Sequence, residues 1–310
     1  MAIETFHDLI ARNKRNSWLL IAVFLVIFVA LGLLIGAVWG GGRPAPAIGV
    51  AVLAGVVAFV LTLASYYGGS SMILSVSSAR EIQRSDDPQL WNVIEELTIA
   101  GGVPMPRIYV IDDSAPNAFA TGRDPEHAVV AITTGLRQKL NRDELQGVMA
   151  HELSHVRNYD IMFAMLMAVM VGVIVMLSDV FLRSLWRGGD RRRRGSRESG
   201  GPAMIILVVL AILLAILAPV LARLIQMAMS RQREYLADAS GVALTRNPEG
   251  LASALAKISA DPEVLEAANR ATAHLYIVHP IKKFEDRASS VFDSHPPIKD
   301  RIQRLMGLTH

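Results

Sequence analysis

The residues best suited to chemistry are His151-Glu152-Leu153-Ser154-His155. On a helix, positions four apart lie one above the other, so both imidazoles can grip one ion while Glu152 stands beside it to polarise water. Zinc hydrolases commonly use three protein ligands and keep a fourth position for a water whose pKa the metal lowers to about 7. The plainer alternative is a helix carrying two solvent-facing histidines. Context weighs against it. Asn141-x-x-Glu144 is a capping-box pattern and predicts a helix from Arg142. Leu145, Val148, Met149, Leu153 and Val156 recur at helical spacing and bury one face, which leaves the histidines free to point elsewhere.

A third ligand must come from outside this motif. The chain has no cysteine, so thiolate ligands, disulfides and cysteine nucleophiles are excluded. A metzincin would place glycine at position 158 and histidine at position 161, but the chain has Asn158 and Ile161. Asp179 lies roughly 36 Å from His155 along a continuous helix and cannot reach. Glu234 is the expected ligand. Asp238, one turn further on, is suited to hydrogen-bond a zinc-bound histidine from behind.

The elements that must position these groups are unusually apolar. With 52% hydrophobic residues over 310, the composition does not suit an ordinary soluble enzyme. Four segments qualify as membrane spans by length and lack of charge: Leu19 to Val38, Ile48 to Tyr67, Ile161 to Leu182 and Ala203 to Ala222. Trp18 and Trp39 bracket the first, about 31 Å apart along a helix, as interfacial anchors would. A cleaved signal peptide competes for that segment because Arg12, Lys14 and Arg15 precede it, but the apolar run exceeds a usual signal core. Gly32 and Gly36 form a GxxxG pair, a spacing too common in spans to carry weight alone. The net charge of +3 owes much to Arg191 to Arg194, in a Gly-rich loop without interleaved aromatics. That pattern favours a solvated or headgroup-facing loop over nucleic-acid binding.

Between and after the spans the chain reads as globular. Pro88 to Ala100 has helical periodicity, and Arg107 to Ile111 and Ala128 to Thr133 read as short strands. Asn117-Ala118-Phe119-Ala120 between them is either a hairpin arm or an edge strand able to pair with an extended peptide. Helices are expected over Ser230 to Leu244, Pro248 to Ala260 and Pro262 to Ala273, and from the prolines of Ser294-His295-Pro296-Pro297 through Leu305. If His151, His155 and Glu234 meet, residues 161–229 must begin and end on one membrane side. The basic N-terminus favours a cytoplasmic site, yet a second full crossing would put the arginine loop outside, against the positive-inside tendency. A shallow second hairpin therefore stays open.

Together these motifs resemble the HtpX-type membrane zinc metalloproteases, relatives of the CAAX prenyl proteases. The likeness runs through two N-terminal spans, Asn117-Ala118-Phe119, His151 to His155, a second hairpin, Arg233-Glu234-Tyr235-Leu236-Ala237-Asp238 and Ser294-His295-Pro296-Pro297. It implies a mainly α integral membrane protein, with four hydrophobic helices in two hairpins and a zincin-like α+β domain with a small sheet. The expected divisions are an N-terminal hairpin over 1–78, two halves of the protease domain over 79–160 and 230–310, and a second hairpin over 161–229. It also implies one zinc ion on His151, His155 and Glu234, Glu152 as general base, and Asn117, Ala118 and Phe119 as a substrate-binding edge. His295 and Arg301 look like the family's late pair that assists the transition state. The implied role is endopeptidase quality control of damaged membrane proteins in a bacterial inner (cell) membrane, with the site facing the cytoplasm. The lipid bilayer and protein substrates are the expected partners, nucleic acid is not, and no oligomeric state follows. A prenyl-protein processing peptidase would need a larger helical chamber, and a zinc scaffold or transporter would need polar residues inside the spans.

Overall fold

The computed structural model describes residues 6–167, 212, 231–265, 275–278 and 296–308. The chain divides into two compact units. Among the described residues, one unit holds 17–65 and 212, and the other holds 6–16, 66–167, 231–265, 275–278 and 296–308. The structure is mainly helical with a small mixed sheet. The expected spans over Ile161 to Leu182 and Ala203 to Ala222, the arginine loop, Asp179 and His295 lie largely or wholly outside the described residues.

The first unit is built on α1 (Phe6–Trp39) and α2 (Pro44–Val76). Both contain stretches long and apolar enough to cross a membrane, and only 24% and 17% of those stretches are buried. A soluble core helix would hide that surface; here Val26, Val52, Phe59 and Val60 are exposed and need an apolar solvent. Gly32 and Gly36 turn out to be where the two helices touch. An added Cβ would sit 2.7 Å from the Ala54 side chain and 2.7 Å from the Ala47 backbone respectively, so only glycine permits the approach.

The second unit takes in the first turns of α1 and the last turns of α2, followed by β1 (Arg80–Glu81) and α3 (Pro88–Gly101). Strands β2 (Arg107–Ile111), β3 (Ala118–Thr121) and β4 (Val129–Thr133) complete a sheet of order β1-β2-β4-β3, in which β2 and β4 are parallel and the other pairs antiparallel. β3 is thus an edge strand. After α4 (Thr134–Lys139) comes α5 (Arg142–Arg157), which starts where the capping box predicts: Glu144 N–H donates to Asn141 Oδ1 and Asn141 N–H to Glu144 Oε2, both at 2.9 Å. Leu145, Val148, Met149, Leu153 and Val156 are all buried in the main core beneath it.

Two expectations need correcting. The motif helix does not run on into the next apolar segment, because it ends at Asn158 and Tyr159 takes a left-handed φ of 60° before α6 (residues 160–167) begins. Residues 262–265 are not helical, although Pro262 was expected to open a helix. Helices α8 (Pro248–Ala260) and α9 (Ile298–Met306) lie close to their expected bounds, and α7, described over residues 231–245, ends close to its expected end, its expected start at Ser230 lying outside the described residues.

Glu144 ties α5 to α8. Besides capping, it accepts from Ser253 Oγ at 2.6 Å and from Lys257 Nζ at 2.8 Å while buried. Burial alone would raise its pKa, but the Lys257, Ser253 and Asn141 hydrogen bonds outweigh it and hold the carboxyl below its ordinary 4.5. Because the folded pKa is depressed, the stabilisation is present above the unfolded value and is lost as pH falls through the folded one. Glu144→Ala is expected to cost about 2–3 kcal/mol in neutral urea melts, from the lost cap and the stranded, partly exposed Lys257. The gap from the parent should shrink below about pH 4.5; a gap unchanged at pH 3 would contradict the assignment.

Candidate metal centre

His151 and His155 project one turn apart from α5 into the space between α5 and α7. Their Nε2 atoms lie 3.2 Å apart with the rings nearly perpendicular, at 89°. Glu234 from α7 closes the group, with Oε1 3.5 Å from His155 Nε2 and Oε2 3.7 Å from His151 Nε2. All three candidate ligand atoms lie within 4.8 Å of one another. Tetrahedral zinc with bonds of 2.0–2.1 Å separates its ligand atoms by about 3.3 Å. The Nε2–Nε2 spacing matches that closely, and each imidazole has one Glu234 oxygen within 3.7 Å, so the donor set fits such an ion.

Each imidazole is oriented from behind. His151 Nδ1 is 2.9 Å from Asp238 Oδ1, and His155 Nδ1 is 3.2 Å from Asp160 Oδ2. A carboxylate at Nδ1 holds the proton there and turns the Nε2 lone pair toward the partner nitrogen, as metal binding requires. Asp238 comes from α7, one turn past Glu234. Asp160 was not anticipated. It reaches back to His155 only because the chain turns at Tyr159, and its other oxygen lies 3.6 Å from Arg233 Nε. A polar Asn158-Tyr159-Asp160 step before an apolar run is the one hint the sequence offers.

Burial sets the electrostatics. It lowers the His151 pKa, against the opposing pull of Asp238. At His155 burial also disfavours the charge, but Asp160 and Glu234 outweigh it and hold the pKa well above normal. Burial would raise Asp238 as well, yet the Arg301 guanidinium beside it brings it down to about 2. Glu152 is 2% exposed, and burial pushes its carboxyl up to about 7, partly offset by His155 and by an Ala120 N–H bond. A divalent cation beside it would oppose that rise.

Gly241 on α7 lets the two helices meet. A Cβ there would lie 3.1 Å from the His151 backbone nitrogen, tighter than ordinary packing, so the glycine sets how near Glu234 comes. Arg301 on α9 is fully buried. Its Nε and Nη2 donate to Asp238 at 2.9 and 2.7 Å, Nη1 donates to the Ile277 carbonyl at 3.0 Å, and Nη1 lies 3.3 Å from Glu234 Oε2. Asn117, Ala118 and Phe119 are buried as well; the Asn117 amide faces Val278, and the Phe119 ring meets Tyr276 edge-on at 5.1 Å.

The pattern of peptidase family M48 matches residues 84–309. The chain belongs to that family. The M48 match takes in α5, α7 and α9, the three helices that converge on the centre. The Protease HtpX homolog of Lactobacillus helveticus is 47% identical over 297 residues, covering 96% of this chain and 97% of the relative. The Protease HtpX homolog of Thermoanaerobacter pseudethanolicus is 42% identical over 310 residues and covers both chains fully, at 100%. Among solved structures, the crystal structure of S. mikatae Ste24p matches with a TM-score of 0.49 at 24% identity, over 81% of this chain and 57% of that one. This chain is an HtpX-type M48 metallopeptidase acting on protein substrates, from a family that uses zinc.

Proposed function

We propose that this M48 metallopeptidase cleaves internal peptide bonds of misfolded or damaged membrane proteins, as a quality-control protease of a bacterial cell membrane with its site on the cytoplasmic side. The observation that carries the reading is α2. Its first part is apolar and mostly exposed, and in its last turns Ile73 and Leu74 join the buried cluster around Phe119. The same helix in the sequence thus carries both a lipid-suited surface and, in its last turns, residues of the protease core. Residues 161–229, bracketed by His155 and Glu234, would form a second hydrophobic hairpin between the two halves of the protease domain.

One zinc ion per chain on His151, His155 and Glu234 would supply a water of pKa about 7 and polarise the scissile carbonyl. Glu152 takes the proton at its carboxylate and passes it to the leaving nitrogen. Asp238 and Asp160 hold the two imidazoles in the metal-binding tautomer. The outer edge of β3 beyond the Ala120 N–H, which Glu152 holds, takes the substrate backbone as an added strand. His295, which the family resemblance pairs with Arg301, would hydrogen-bond the developing oxyanion.

The test uses zinc-loaded protein reconstituted in lipid vesicles with a membrane-protein substrate in a stable form and a destabilised form. Cleavage of the destabilised form at least tenfold faster is expected. Equal rates for the two forms, or turnover confined to short prenylated peptides, would overturn the quality-control reading.

A further inference from the structure

We infer that Asn117 is a positioning residue for Arg301, acting through the backbone of Ile277 and Val278, rather than a contact to substrate. The Asn117 side-chain amide behaves as a peptide group, because it can donate and accept at once. Its Nδ2 donates to the Val278 carbonyl at 2.9 Å, and its Oδ1 accepts from Ala118 N–H at 3.1 Å and from Val278 N–H at 3.5 Å. Beside it, Ile277 N–H donates to the Ala118 carbonyl at 3.0 Å. Residues 277 and 278 are therefore fastened beside the outer edge of β3 by one backbone hydrogen bond and the Asn117 amide, and this chain itself occupies the hydrogen-bonding groups of Ala118 that a substrate would otherwise use.

The other face of the same peptide reaches the centre. The Ile277 carbonyl accepts from Arg301 Nη1, while the other two guanidinium nitrogens hold both oxygens of Asp238, whose Oδ1 meets His151 Nδ1. Asn117, Ile277, Val278, Arg301 and Asp238 are all buried, so water cannot replace a lost partner in this chain of contacts. A planar guanidinium held at three points keeps one orientation. Release of the Ile277 carbonyl leaves the bidentate grip on Asp238 but frees Nη1, the nitrogen that lies 3.3 Å from Glu234 Oε2, from its backbone acceptor. The segment is anchored further by Tyr276, whose ring packs on Phe119 and whose hydroxyl lies 3.4 Å from Ser77 Oγ.

The inference rests on assigning the metal to His151, His155 and Glu234, and its test includes a measurement that needs neither metal nor substrate. Full-length protein is compared as parent, Asn117→Ala, the isosteric Asn117→Asp and Arg301→Lys. In Asn117→Ala, kcat is expected to fall about tenfold with KM within twofold. Asn117→Asp, which keeps an acceptor and loses the donor to Val278, should show a loss of the same kind and serves where the alanine variant does not fold. Amide hydrogen exchange at Ile277 should quicken at least tenfold in both Asn117 variants and also in Arg301→Lys, across the metal-free protein. A raised KM at unchanged kcat would make Asn117 a substrate contact and overturn the proposal, as would Ile277 exchange indifferent to Arg301. Failure of the metal assignment alone would leave the exchange coupling intact.

Discussion

Glu152→Gln is expected to keep its metal and lose most of its activity, with kcat down by a factor of about 10² to 10⁴, the usual contribution of a positioned general base. The side chain lies within the motif helix but outside the convergent donor set of His151, His155 and Glu234. Glutamine preserves its shape and can still accept the Ala120 N–H that points at this carboxylate. What it removes is the ability to take a proton. Zinc content by mass spectrometry and turnover of an unfolded protein substrate at saturation separate the two effects. Undiminished turnover in the zinc-loaded variant would remove Glu152 from the mechanism.

Glu234→Ala is expected to leave the protein largely metal-free at zinc concentrations that saturate the parent. Two imidazoles remain, and their oriented lone pairs bind an ion far less tightly without the carboxylate that closes the group. The substitution also strips Arg301 of one of its acidic neighbours. Asp238→Asn and Asp160→Asn should weaken zinc only about 10–100-fold, because each acts through a histidine rather than on the ion. Competition against a fluorescent chelator orders the variants. Equal losses in all three would mean that the carboxylate of Glu234 has no privileged place.

How far the sequence discloses this arrangement differs from residue to residue. The motif helix is legible because three local signals agree on it: the Asn141 cap, the apolar stripe and the histidine spacing. β2 and β4 are legible because β-branched runs bounded by turn residues leave few alternatives. The two-residue β1 is too short to show any periodicity. Asp160 is hidden because its role depends on Tyr159 adopting a left-handed conformation, which no glycine or asparagine announces at that position. Gly241 reads as a weak spot inside a helix, and its use emerges only when α5 packs against it. Arg301 was expected beside the reacting groups; its deep pairing with Asp238 and Ile277 joins residues far apart in sequence, and nothing local encodes that.

Anomalous diffraction at the zinc absorption edge, from crystals of the zinc-loaded protein, locates the ion and its ligands in one measurement. One peak per chain is expected, about 2.0–2.2 Å from Nε2 of His151, Nε2 of His155 and a carboxylate oxygen of Glu234. A peak elsewhere, or one at the two histidines with Asp238 or Asp160 in place of Glu234, would contradict that expectation.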